Sequence, residues 1–213
     1  MANHVHFSVN FHQINEQARA KLQELFSRVR TDGNYQWFSD IFVDGDELTY
    51  EQTEQYSWTL ENIGPKWCYF EDYSAAEGDV YFNGEAAWGP PTDGVTKLLK
   101  ILSEFDPKMI TSMTYEDEGP NFVGADVWYG DEHYEGIEYD DDEIIEMVIA
   151  DSETLTEDSY NKEEYEWVDD ESEDTYRDEM WEVINDKLWD FVMEEVKWIE
   201  DHPEDFEDVE TIH

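Results

Sequence analysis

The sequence predicts an α+β fold, namely a ferredoxin-like antiparallel sheet with two packed helices, followed by an acidic C-terminal helical extension. Several short segments alternate apolar and polar residues, as half-buried strands do. Two segments between them have apolar residues at helical spacing, and a long acidic helical pattern begins near residue 159. With 39% hydrophobic and 15% aromatic residues, the chain has enough apolar surface to fold in spite of its net charge of −45.

The first half of the chain has a clear order of elements. Val5, Phe7, Val9 and Phe11 alternate with polar residues, and Asn15 is placed to cap the helix that follows. The predicted elements are a strand at 4–11, a helix at about 16–29, an insertion with short helical pieces at about 34–63, strands at 67–70 and 79–84, a helix at 95–105 and further strands within 109–150. This strand–helix–strand–strand–helix–strand order is that of a ferredoxin-like sandwich.

The second part of the chain is predicted to be a separate helical extension. Trp181, Ile184, Leu188 and Ile199 form one apolar stripe, with acids on the remaining faces of the helix. We therefore divide the chain into an α+β domain at 1–150, which contains the insertion at about 34–63, and an acidic helical extension at 151–213.

Three short motifs between residues 66 and 130 match a known family. They are Lys66-Trp67, Ala86-Ala87-Trp88-Gly89-Pro90-Pro91, and Tyr115-Glu116-Asp117-Glu118-Gly119 with Gly124 following in a strand. In these residues the chain resembles the YubB-type ferredoxin-like domain of phage and plasmid proteins. The resemblance covers about a third of the chain, implies a phage or plasmid origin and supplies no catalytic residues. The acidic segment after residue 130 departs from the family pattern, so we expect the specific function there.

The negative charge is distributed unevenly along the chain. Residues 1–110 carry 18 acids and eight bases, whereas residues 111–213 carry 39 acids and four bases, a net of −35. Only twelve Lys and Arg are present in all, which argues against direct binding to nucleic acid or to an anionic membrane. A solvated or salt-adapted surface would spread its acids more evenly, and solubility needs far less charge.

Other classes of protein are also disfavoured. No run of 18 apolar residues and no secretory signal is visible, so we expect a cytoplasmic protein, in the host cell if the chain is phage-encoded. The single cysteine, Cys68, excludes an intramolecular disulfide. No catalytic motif, phosphate loop or dinucleotide fingerprint occurs, so we expect neither an enzyme nor a cofactor.

Histidines offer the one metal hypothesis. One face of the first predicted strand carries His4 and His6, with His12 as a third candidate ligand. These side chains could ligate a transition metal. We favour the alternative that they form the solvated side of that strand, because exposed histidines commonly occur without a metal. Trp67, Trp88 and Trp128 are expected to pack in the core.

A set of acids and aromatics after residue 130 is predicted to bind a partner. Its members are Glu135, Glu138, Asp140, Asp141, Asp142, Glu143, Glu146, Glu163, Glu164, Glu166, Asp169, Asp170, Glu171, Glu173, Asp174, Tyr139, Tyr165 and Trp167. Carboxylates at i and i+4 on a helix, or at alternate positions of a strand, lie about 5–7 Å apart, near the spacing of successive phosphates. The aromatic residues would either anchor the contact or pack as ordinary half-buried side chains.

This pattern leads to a functional hypothesis with two alternatives. We expect a phage-type DNA mimic that inhibits a basic, DNA-binding host protein or defence complex, such as a restriction, recombination or other nuclease system. One alternative is an acidic adaptor or neutraliser whose basic partner does not compete with DNA; the other is a salt-adapted domain of unrelated function. A homodimer through the tryptophans of the long helix is compatible with all three.

Overall fold

The structure is a computed structural model, and it describes residues 3–32, 35–45, 47–119 and 121–206. Its strands are β1 (His4–Gln13), β2 (Thr31–Asp32), β3 (Tyr35–Trp37), β4 (Cys68–Ala76), β5 (Asp79–Ala87), β6 (Ile110–Asp117), β7 (Phe122–Tyr129), β8 (Glu132–Asp140), β9 (Tyr160–Asn161) and β10 (Glu166–Trp167). Its α-helices are α1 (Glu16–Phe26), α2 (Tyr50–Thr53), α3 (Tyr56–Asn62), α4 (Thr92–Ser103), α5 (Asp141–Asp151) and α6 (Asp170–Asp201). Short 3₁₀ turns cover Phe38–Phe42 and Glu157–Ser159.

One large antiparallel sheet organises the described residues. Its strand order is β2-β3-β4-β5-β1-β6-β7-β8, and β9 pairs with β10 in a separate hairpin. The predicted α+β class is confirmed. The sheet is larger than that of a ferredoxin-like sandwich, because β2 and β3 extend one edge and β7 and β8 extend the other. More than two helices surround it, since α5 and α6 are present in addition to α1 and α4.

The first face of the sheet is covered by α1 and α4. Every second residue of β1, from Val5 to Phe11, is buried on this face, as the alternation predicts. The side chain of Asn15 caps α1 by accepting hydrogen bonds from the backbone N–H groups of Gln17 and Ala18, both at 2.9 Å. Phe38 at the 3₁₀ turn stacks on Phe82, so the segment at 34–63 contributes short helical pieces and also part of this first core.

The second face carries the acidic part of the chain. The 32-residue α6 packs across β7 and against α5, and its buried residues follow helical spacing from Met180 to Ile199. Ile184 and Leu188, both predicted to face inward, are among them. The C-terminal helix therefore lies on the sheet rather than projecting from it.

Two elements differ from the sequence prediction. Ile144–Ala150, expected to be a strand, lies within α5, because Asp140 and Glu143 form a reciprocal capping box and the buried Ile144 and Val148 recur at helical spacing. The long helix begins at Asp170 rather than near residue 159, because the chain first forms the β9–β10 hairpin.

The three tryptophans expected in the core differ in how far they are buried. Trp128 is fully buried and Trp67 is half-buried, stacked on Tyr69. Trp88 is 61% exposed, so its predicted core position is wrong. It follows β5 at a turn with a positive φ of 73°, where its backbone N–H donates to the carbonyl oxygen of Asn3.

No helix in the described part of the chain has the length and apolar character needed to cross a membrane.

Candidate functional surface

The acidic surface consists of the solvent-facing carboxylates of residues 131–206. This segment contains 32 acids and four bases, a net charge of −28. Most of its buried apolar residues belong to the second core, which α5, α6 and β7 share, whereas Tyr165, Val168 and Trp189 are exposed. The acids consequently face outward from elements that are fixed against one another by packing.

A cleft between α6 and the end of α5 concentrates several of these acids. It has a volume of about 600 Å³. Its charged lining consists of Asp151, Glu153, Glu179, Glu182, Asp186, Asp190 and Lys187. One carboxylate oxygen of Glu179 is buried there and lacks a hydrogen-bond partner among the described residues. Acids from two helices and the loop between them thus meet across one concave surface.

The start of α5 continues the acidic surface toward the β9–β10 hairpin. Burial, and then the negative charges of Asp142 and Asp141, raise the pKa of Tyr160. Burial and the nearby Asp141 likewise raise the pKa of Tyr176 to about 12. These shifts show that the first-turn acids of α5 act on groups of both the hairpin and α6.

The acidic surface also reaches the edge strand β8. Tyr134 stacks on Trp198 of α6, with ring centroids 5.6 Å apart. Burial, followed by the charges of Glu135 and Glu194, raises the pKa of Glu195. Because like charges raise a carboxyl pKa only when they lie close, β8 and α6 present their acids to solvent as neighbours.

Most acids of the predicted partner-binding set are exposed, but they do not form one patch. Glu138 accepts a hydrogen bond from the hydroxyl of Tyr115 at 3.1 Å, and Tyr115 belongs to the first core. Glu135 lies near Glu195 of α6, on the opposite side of the sheet. Most of these acids are exposed, as the sequence predicts. Glu135 and Glu138, however, lie on opposite sides of the sheet although they are only three residues apart.

Some of the predicted acids have structural roles. Asp140 and Glu143 cap α5, as described above, and Asp169 caps α6 by accepting the backbone N–H of Ser172 at 2.8 Å. That hydrogen bond lowers the pKa of Asp169. Three other predicted acids make ion pairs, namely Glu146 with Lys162, and Glu173 and Asp174 with Arg177.

The three predicted aromatic anchors have different environments. Tyr165 is 67% exposed and has a positive φ of 55°, a conformation that a bulky residue rarely adopts. Tyr139 and Trp167 are half-buried against the second core, and the Trp167 ring lies 5.0 Å from Tyr160 and 4.8 Å from Tyr176. Only Tyr165, among these three, is placed as an anchor for a partner.

The predicted set omitted the cleft acids. Asp151, Glu153, Glu179, Glu182, Asp186 and Asp190 line the concave surface but are absent from it. The spacing of three to four residues from Glu179 to Asp190 could have indicated one helix face. The approach of Asp151 and Glu153 depends on how α5 packs on α6, which carries no local sequence signal.

A second charged group lies on the second face of the sheet, over β1, β4 and β5. His6, Glu71 and Glu85 each offer one potential metal-ligand atom, and these atoms lie within 4.8 Å of one another. His12, the third histidine of the predicted trio, is not part of this group. Its ring is hydrogen-bonded to the Ser112 hydroxyl at 2.8 Å.

Comparison of the chain with protein-family models, with curated proteins and with solved structures finds no match.

Proposed function

We propose that this protein is a non-enzymatic DNA mimic whose acidic surface occupies the DNA-binding site of a basic host protein, with restriction, recombination or other nuclease complexes as the target class. The observation that carries the proposal is the convergence of acids from α5, α6 and the intervening loop on one cleft. Carboxylates stand in for phosphates, so the partner's Lys and Arg residues are attracted as they are to a nucleic acid.

Fixed geometry supports mimicry over a simple solvated surface. The acidic helices are anchored by a buried stripe from Met180 to Ile199, so the backbone positions that carry their carboxylates are fixed relative to one another. A rigid array avoids the ordering cost that a disordered acidic tail would incur on binding. The exposed Tyr165 adds an apolar contact at the rim of the acidic surface.

The rest of the molecule is proposed to be a ferredoxin-like scaffold of phage or plasmid type. In the sheet, β4, β5, β1 and β6 are consecutive and antiparallel, and α1 and α4 connect them in the chain order of such a fold. The YubB-type resemblance within residues 66–130 favours the same origin.

The test uses two variants with equal charge. The first neutralises Asp141, Asp142, Asp151, Glu153, Glu179 and Glu182 to Asn or Gln, and leaves the helix caps intact. The matched control neutralises six exposed acids outside the acidic surface, namely Glu51, Glu61, Glu77, Asp79, Glu104 and Glu118. Both variants and the parent chain are immobilised and exposed to a bacterial lysate, and a retained protein is purified for equilibrium competition with duplex DNA.

A mimic gives a defined pattern in this experiment. The retained protein binds DNA, duplex DNA displaces it, and the first variant binds it roughly tenfold or more weakly while the control variant binds within about twofold. A partner that duplex DNA does not displace would instead establish an acidic adaptor or neutraliser. Equal losses in both variants would show that only net charge matters, and would contradict a defined mimic surface.

A further inference from the structure

The face of the sheet that α6 leaves partly open carries a histidine and two glutamates on three neighbouring strands. His6 of β1 is directly opposite Glu85 of β5 in the strand register, and Glu85 is opposite Tyr69 of β4. Glu71 follows two residues later on β4. The imidazole Nδ1 of His6 lies 3.7 Å from Oε1 of Glu85. This pairing brings residues from distant parts of the sequence to one point.

A β-bulge determines the position of Glu71. Phe70 pairs with Gly84 and Asp72 pairs with Asn83, so Glu71 is the extra residue in β4. Bulges of this kind re-aim a side chain and are frequent beside functional sites. At the same point β4 and β5 approach so closely that a Cβ on Gly84 would lie 2.0 Å from the carbonyl oxygen of Tyr69. A side chain at position 84 would therefore disturb the strand pairing beside Glu71.

Glu85 is held in place by groups that surround it. The Tyr69 hydroxyl donates a hydrogen bond to its Oε2, and Nδ1 of His4 lies 2.9 Å from the same oxygen. Partners of this type orient metal-ligating carboxylates in known sites.

An open cleft borders two of the three residues, His6 and Glu71. It has a volume of about 570 Å³; His6 and Glu71 line its floor, and Asp186 and Trp189 of α6 form part of the opposite wall. Glu116 of β6 is opposite His6 in the strand register and lines the same cleft. An ion bound at the floor would keep coordination positions directed toward this space.

We propose that His6, Glu71 and Glu85 bind one divalent transition-metal ion of the Zn²⁺ type, with its remaining coordination positions open to the cleft. One imidazole nitrogen with two carboxylate oxygens suits such ions, whereas Ca²⁺ and Mg²⁺ prefer all-oxygen sites. Donors that bind one Zn²⁺ at about 2.0–2.2 Å lie about 3.4 Å apart, so the group closes by roughly 1 Å on binding. The site is separate from the acidic surface and does not depend on the proposed mimicry.

The experiment must separate this site from weak binding of cations to the many surface acids. Zn²⁺ is titrated into the full chain by calorimetry in buffer that contains excess Mg²⁺, which occupies all-oxygen sites. Histidine ring resonances are followed by NMR in the same buffer. The variants are His6→Ala and Glu71→Gln, and the matched control is His133→Ala, because His133 pairs only with Asp126 among the described His–carboxylate contacts, at 2.8 Å.

The expected result is one Zn²⁺ per chain that persists in Mg²⁺ and shifts the ring signals of His6. His6→Ala and Glu71→Gln should each weaken this binding by at least about tenfold, since even an indirect partner of a metal typically contributes that much. His133→Ala should bind like the parent. Zn²⁺ binding that Mg²⁺ abolishes, or that is equal in all four chains, would overturn the proposal. Because Glu71 is exposed, its variant tests the site even if His6→Ala folds poorly.

Discussion

The two cores on opposite faces of the sheet are built from different residues. The first core is rich in rings, and Phe82 alone lies within 6.4 Å, centroid to centroid, of Phe7, Phe11, Phe26, Phe38 and Phe70. The fully buried members of the second core are aliphatic residues and Met180. Helix α6, which carries the most acids, is therefore held on the sheet by a narrow aliphatic stripe. The larger aromatic core is formed mainly by the first half of the chain, whose net charge is much smaller. The dense acidic surface and the larger buried core therefore lie on opposite faces of the sheet.

Cavity-forming substitutions in each core test whether the two cores unfold independently. Phe82→Ala should destabilise the whole chain by about 3–5 kcal/mol, because many rings lose their common neighbour. Leu188→Ala should cost about 2–4 kcal/mol and loosen mainly α6 and α5. Urea unfolding measures the first quantity, and hydrogen exchange read by mass spectrometry locates the second. If Leu188→Ala reduced protection equally in both cores, the two layers would be one cooperative unit.

Added salt should stabilise the acidic face of the sheet more than the other face. Raising NaCl from about 0.05 to 0.5 M screens repulsion between exposed charges beyond a few ångströms. We expect the Tm to rise by roughly 5 °C, with most of the added hydrogen-exchange protection in α5 and α6. A gain that continued steeply into molar salt and covered both layers would favour a salt-adapted domain instead.

The smallest expected effect concerns one carboxyl at the boundary of the second core. Burial and the nearby Glu135 and Glu194 raise the pKa of Glu195, so the folded chain holds this proton more tightly than the unfolded chain does. The stability that protonated Glu195 contributes at acidic pH is consequently lost as the pH rises through the raised pKa.

Glu195→Gln removes this loss. The variant should have a Tm higher by about 1–3 °C at pH 7 and a flatter dependence of Tm on pH from the ordinary glutamate pKa upward. Thermal melts across that range provide the measurement, and Glu200→Gln, at an exposed position of the same helix, is the control. A Tm at pH 7 that does not rise in Glu195→Gln would show that the carboxylate is not destabilising there.

Elements with a strong local signal could be predicted from the sequence. The alternation in β1, the cap at Asn15 and the apolar stripe of α6 are each confirmed. Strand β8 was missed because acids alternate irregularly with Ile137 and Tyr139, and a bulge at its pairing with β7 shifts the register. A short apolar run such as that of α5 does not distinguish a helix from a strand by periodicity alone.

The candidate sites required tertiary information. Exposure of the acids follows from composition, but the cleft between α5 and α6 depends on packing between segments about 30 residues apart. His6 was singled out from its strand position, whereas its neighbours Glu71 and Glu85 come from 65 or more residues away. The position of the Glu71 side chain depends in addition on a β-bulge, and no pattern in the sequence predicts that bulge.

The acids of β8 have one more consequence, for association between copies of the chain. This strand ends the sheet, so its outer backbone N–H and C=O groups face no further strand of the sheet. A second copy pairing there would bring Glu132, Glu135 and Glu138 toward the like charges of its own β8, at the short distances of a strand pair. The opposite edge ends in the two-residue β2, which is too short to template a long partner strand. Both margins of the sheet therefore resist fibril growth, and any self-association has to use other surfaces.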